Sequence, residues 1–176
     1  LADVLGRYFW LWLSALILIG CTGVVSALYP ELSDMPPHVA GLQIAAMSVS
    51  TAVTVLLVSR FRLPPVPTIR VCAILMAVSI LLTFRSPWGF ITTGAVAGVI
   101  MIAQLAYLSQ AGHPQGLLIG LFNAASYGGM TILPFAAGIV AEFVVYPEPF
   151  LAAFLMTAGL ALFVAATIGQ CTCEPG

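Results

Sequence analysis

The stretch Gly116-Leu117-Leu118-Ile119-Gly120-Leu121-Phe122-Asn123-Ala124-Ala125-Ser126-Tyr127-Gly128-Gly129-Met130-Thr131-Ile132-Leu133-Pro134-Phe135-Ala136-Ala137-Gly138-Ile139-Val140-Ala141-Glu142 carries no charge before its last residue. A helix needs about 20 apolar residues to cross the hydrocarbon core of a bilayer, so this segment is long enough to span. Its polar residues are ordered. Asn123, Tyr127, Thr131 and Pro134 recur three and four apart, which puts them on one helical face. Gly128-Gly129 and Pro134 lower the cost of bending, because proline frees a carbonyl and glycine adds little resistance. The segment therefore reads as a span with one polar stripe and a point of flexion, which suits a gate or a static kink used for packing.

Working outward, the same test gives six candidate spans: 8–28, 39–58, 67–84, 88–108, 116–141 and 150–169. Proline clusters separate them, including Pro36-Pro37, Pro64-Pro65 and Pro147-Glu148-Pro149, since proline stops a continuing helix. The apolar runs are continuous, whereas barrel strands alternate over about ten residues. The third span is the shortest in apolar terms, with Arg70 in its first turn placed to snorkel to the interface. Charge is 6% and hydrophobic content 61%. A soluble domain carries about 25% charged residues, so this surface is built for lipid. With a net charge of −1, nothing points to a nucleic-acid or polybasic surface binder.

Six spans put both termini on one side. Arg7, Arg60, Arg62 and Arg70 then share a side; Arg85, Glu31, Asp34, Glu142 and Glu148 share the other. The positive-inside rule makes the Arg-rich side cytoplasmic. The reading is a multi-pass protein of the plasma (bacterial inner) membrane with both termini cytoplasmic, residues 1–170 forming the bundle and 171–176 a tail. Cys171 and Cys173 fall in that tail with too few partners for a metal site; Cys21 and Cys72 read as packing residues. The start at Leu1 suggests a segment of a longer protein, or a chosen boundary.

Gly41-Leu42-Gln43-Ile44-Ala45-Ala46 in the second span resembles Gly120 to Ala125 in the fifth, with four of the six positions alike. These spans hold equivalent places in two successive triplets. Three-span repeats necessarily run in opposite senses through the bilayer, the inverted-repeat design of many transporters; the abundance of Gly, Leu and Ala is the competing explanation.

Polar groups sort the spans. Thr22, Ser26 and Tyr29 share a face of the first, and Gln43, Met47, Ser50 and Thr54 a face of the second. Gln104 and Tyr107 lie towards the inner end of the fourth. The third and sixth hold little beyond Ser79 and Thr157. Spans one, two, four and five are thus expected inside and spans three and six at the lipid-facing periphery. Gly120, Ala124 and Gly128, and likewise Gly94 and Gly98, have the spacing of close helix contacts.

The fifth span, with Gly120, Asn123, Gly128 or Gly129, Pro134, Gly138 and Glu142, resembles the penultimate helix of major facilitator superfamily transporters, and Gln110 to Gly116 is similar to the link before it. The resemblance implies an all-α membrane protein whose six transmembrane helices form two inverted three-helix repeats, the carboxy-terminal half bundle of a secondary transporter. Helices one, two, four and five of such a half border the cavity. The loop Ser59-Arg60-Phe61-Arg62-Leu63-Pro64-Pro65 departs from the family pattern, lacking its Asp and Gly.

The implied activity is alternating-access transport of a small solute, with an amino-terminal half bundle and the bilayer as partners. Candidate cavity-wall residues are Gln43, Gln104, Asn123 and Tyr127, then Ser26 and Tyr107; helix–helix hydrogen bonding is the competing role for each. Gly128, Gly129 and Pro134 are the candidate flexing residues. No Asp, Glu, His or Arg lies mid-span, so no coupling carboxylate, metal or cofactor site is expected, and an enzyme is the weakest reading. The rivals are a self-contained six-span channel or facilitator acting as a homo-oligomer, and a non-transporting accessory subunit.

Overall fold

The computed structural model describes residues 6, 8–32, 35–110, 114–143 and 149–168. They form six helices: α1 (Phe9–Leu32), α2 (Pro37–Val58), α3 (Pro65–Arg85), α4 (Trp88–Ser109), α5 (Gln115–Phe143) and α6 (Pro149–Thr167). There is no strand among the described residues. The helices α1 to α5 are long and apolar enough to cross a membrane; the apolar helix within α6, Leu151–Thr167, is shorter. The protein is therefore an all-helical, multi-pass membrane protein. Arg7, Asp34, His113, Glu148, Cys171 and Cys173 lie outside the described residues.

Proline sets several boundaries. Pro37 and Pro65 open α2 and α3 at the first helical turn, where an N–H would be unpaired anyway and the ring favours the helical φ. Both helices consequently start two residues earlier than the sequence reading placed them. Pro30 does not end α1, which runs on to Leu32; so near a helix end, proline interrupts few internal bonds. The α3–α4 connection is only Ser86-Pro87. Gly89 permits it, because a Cβ there would meet the backbone of Thr83. Thr83 Oγ1 donates to the Ser79 carbonyl at 2.9 Å and lies 3.4 Å from Thr93 Oγ1, closing the base of the hairpin.

The helix α1 is the spine. It packs most extensively on α5 and also touches α6, α4, α3 and α2. The other large interfaces are α2 on α4, α3 on α4 and α3 on α6. Glycines let the first two interfaces close. A Cβ on Gly20 of α1 would lie 2.8 Å from the carbonyl of Gly129 of α5, and one on Gly23 2.8 Å from the carbonyl oxygen of Met130. Across α2 and α4, Gly94 abuts the Met47 carbonyl, and a Cβ on Gly98 would sit 2.9 Å from that of Thr51. Gly120 and Gly128 face open space. The α5 packing glycine is Gly129, one position off the spaced row.

Burial reorders the expected layers. In this bundle taken alone, α1 is the most enclosed and α2 the least, with only 6% of its spanning window buried; α5 follows at 22%, against 44% for α3. The helix α3 keeps Val71, Ile74, Leu75 and Val78 exposed. Small residues are prominent among those buried on α3 and α6, including Ala73, Ala77, Ala153, Ala158 and Ala161, and the two helices pack on each other. Of the polar residues on α5, Asn123, Tyr127 and Thr131 are exposed.

Candidate functional site

A groove of about 300 Å³ opens where α1, α2, α4 and α5 converge. It lies near the middle of all four helices. The helix α1 contributes Ile19 and Thr22, α2 Met47, Ser48 and Thr51, and α4 Ala97 and Met101. The helix α5 supplies the largest share, Phe122, Asn123, Ser126, Tyr127 and Met130. None of these side chains is acidic or basic, and the wall is mostly carbon and sulfur.

The groove exists because of the glycine contacts just described. Gly20 and Gly129 draw α1 and α5 together, and Gly94 and Gly98 draw α2 onto α4. Between these two tight pairs only slight contact joins α1 to α2 and α4 to α5. Void space is left where the pairs diverge.

Most hydroxyls in the groove are committed to backbone. Thr22 Oγ1 donates to the Ile19 carbonyl at 2.6 Å, and Ser48 Oγ to that of Ile44 at 3.1 Å. Thr51 Oγ1 reaches both its own helix at Met47 and the Gly94 carbonyl across the interface, at 2.9 and 3.0 Å. These bonds remove the cost of a hydroxyl in an apolar span. Ser126 is different. It is 6% exposed, and its Oγ has no hydrogen-bond partner.

Of the six candidate wall residues, the structure brings Asn123 and Tyr127 to the groove. Both are exposed, with Tyr127 at 68%, and with Thr131 they make an outward-facing stripe on α5. The other four go to the two ends of the bundle. Near the α1–α2 connection, Gln43 Nε2 lies 3.8 Å and the Tyr29 hydroxyl 3.6 Å from the Met35 sulfur, while Ser26 bonds its own helix at Gly23. At the opposite end Gln104 is fully buried and donates to Ser14 Oγ at 3.1 Å. Tyr107 packs edge-on to Tyr8, ring centroids 6.3 Å apart. Of the flexing candidates, Gly128 is open on its free side, Gly129 is clamped against the Leu16 carbonyl, and Pro134 lies within α5.

Thr22, Ser48, Thr51, Ser126 and three methionines were not among the candidates. Ser and Thr in a span are read as backbone-bonded, and a lone methionine as packing. Only their convergence from four helices makes them a wall. Spacing held one usable signal: Ser126 is four residues from Phe122 and from Met130, placing them on one face of α5.

Gln104 is a structural group by its surroundings. Its Nε2 is paired and its Oε1 has no partner. A buried unpaired carbonyl costs about 1–3 kcal/mol. Gln104→Leu, which removes the orphan while keeping the volume, is expected to leave thermal stability in detergent unchanged or raised. Ser14→Ala, which strands the amide as well, is expected to lower it by about 1 kcal/mol.

No group of three His, Cys, Asp or Glu side chains gathers among the described residues. No protein-family model, curated protein or solved structure matches this chain, so the resemblance of its fifth span to the major facilitator helix rests on the residues quoted for it.

Proposed function

We propose that this chain is one wall of an alternating-access transporter for a small uncharged solute, a six-helix half of major-facilitator type that works against a second bundle. The observation that carries this reading is the mid-helix groove shared by α1, α2, α4 and α5, with its polar stripe of Asn123, Tyr127 and Thr131 facing out of the bundle. Polar side chains at mid-span are costly against lipid and are found facing protein or water. A facing bundle meets that requirement and converts the groove into a central cavity.

The contact pattern supports two inverted triplets. The α1–α5 interface is answered by α4–α2, and the glycines sit on the first helix of each triplet, Gly20 and Gly23 on α1, Gly94 and Gly98 on α4. An exchange of α1 with α4, α2 with α5 and α3 with α6 maps these pairs onto each other. The match is partial, since α5 touches α6 while α2 does not reach α3. An inverted repeat of this kind places its site near the midplane, between the halves.

The test is two-sided access. In the full-length protein lacking other reactive cysteines, Asn123→Cys is expected to react with a membrane-impermeant thiol reagent from either face of the membrane, with saturating solute protecting both. Reaction from one face only, unaffected by any solute, would rule the reading out. A second copy of the chain would cover the same stripe; uptake by vesicles holding this chain alone would favour that homo-oligomeric channel.

A further inference from the structure

We propose that the groove selects uncharged, predominantly apolar molecules carrying a single hydrogen-bonding end, which docks on Ser126. This assignment rests on the transport reading above and names the substrate class of that same site.

Three observations carry it. First, Ser126 is the exception among the serine and threonine hydroxyls of the groove. Thr22, Ser48 and Thr51 satisfy themselves on nearby carbonyls, whereas Ser126 Oγ is buried without a partner. A hydroxyl buried without a hydrogen bond carries its desolvation cost uncompensated, and a ligand group that both donates and accepts would remove it. Second, Met47, Met101 and Met130 approach from three different helices to make the apolar part of the wall. Methionine is unbranched and polarizable, so it moulds to varied shapes and contacts aromatic and aliphatic surface alike. With Phe122 and Ile19 beside it, this wall rewards carbon, not hydroxyl groups. Third, the lining holds no acidic or basic side chain, and a desolvated charge without a partner is strongly penalised.

A sugar is therefore disfavoured, since beyond Asn123, Ser126 and Tyr127 its hydroxyls would meet methionine, phenylalanine and isoleucine. So is an organic cation or anion. At about 300 Å³ the groove sits at the small end of ligand sites; an aliphatic or small aromatic alcohol fits it.

The experiment uses the full-length protein in its membrane and a photoreactive probe, 1-octanol bearing a diazirine, with adducts mapped by mass spectrometry. Expected are adducts on α5 between Phe122 and Met130 and on Met101, displaced by excess 1-octanol but not by glucose or tetraphenylphosphonium. Ser126→Ala, a small change at a site with no internal bond to lose, should lower the displaceable labelling about five-fold, and Ser126→Thr should retain it. Labelling spread over the outward faces of α2 and α3, or unchanged by Ser126→Ala, overturns the proposal. Displacement by glucose or the cation also overturns it while leaving transport standing. Conversely, one-sided access at Asn123→Cys with intact octanol labelling removes the transport reading and leaves the alcohol site.

Discussion

Gly129→Ala is expected to destabilise the bundle by about 1–3 kcal/mol or more, while Gly128→Ala, one residue away, is expected to be neutral or slightly stabilising. The difference is geometric. A methyl on Gly129 points into the Leu16 carbonyl of α1, and one on its opposite number Gly20 would lie 2.8 Å from the Gly129 carbonyl. Backbone cannot give way as a side chain can, so α1 and α5 must separate along their whole interface, the largest in the bundle. Overfilling a packed interior costs about 1–3 kcal/mol when side chains can adjust, and here they cannot. Gly128 faces open space, where alanine favours the helix over glycine by about 1 kcal/mol. Thermal unfolding of the two variants in the same detergent checks this. Equal stability would mean that α1 and α5 do not approach at Gly129.

The second large effect is on flux. On the proposed transport function, Asn123→Trp is expected to cut solute flux at least ten-fold with little change in stability. Asn123 is exposed, so the bundle has nothing to repack around an indole. Yet it lines a groove of only about 300 Å³, and Trp is the largest side chain. Val78→Trp is the matched control. Val78 is 58% exposed on α3 and is no part of the groove, so both flux and stability should stay at the parent level. Transport by Asn123→Trp at the parent rate would move the solute path elsewhere. Because no described lining residue is acidic or basic, binding to this wall should also be flat between about pH 5 and 8, the range in which histidine and perturbed carboxylates change charge. A titration of ligand displacement across that range would expose any coupling group facing it.

Much of this was legible in the residues. The lengths of the apolar runs and the proline clusters placed all six helices to within a few residues, because the cost of unpaired backbone in lipid leaves helix as the one continuous answer. The outward stripe on α5 was legible too, since it depends only on spacing within one helix. Gln104 shows the limit. Sequence marks it as a polar group in a span, equally suited to a cavity or to a neighbouring helix. The structure gives it Ser14 of α1, ninety positions away in the chain, and no property of α4 alone names that partner.

Gly128 and Gly129 make the same point more sharply. They are identical neighbours in the sequence, yet one is clamped and the other open, because successive residues on a helix point about 100° apart and only the rotation of α5 against α1 decides which faces the contact. The groove follows from that rotation. Composition and spacing determine that this chain is a bundle of membrane-spanning helices, and which residues share a face. Which faces meet, which glycines bring them close, and therefore where Met47, Met101, Ser126 and Met130 enclose a space are decided only when the helices pack, because these depend on contacts between segments far apart in the chain.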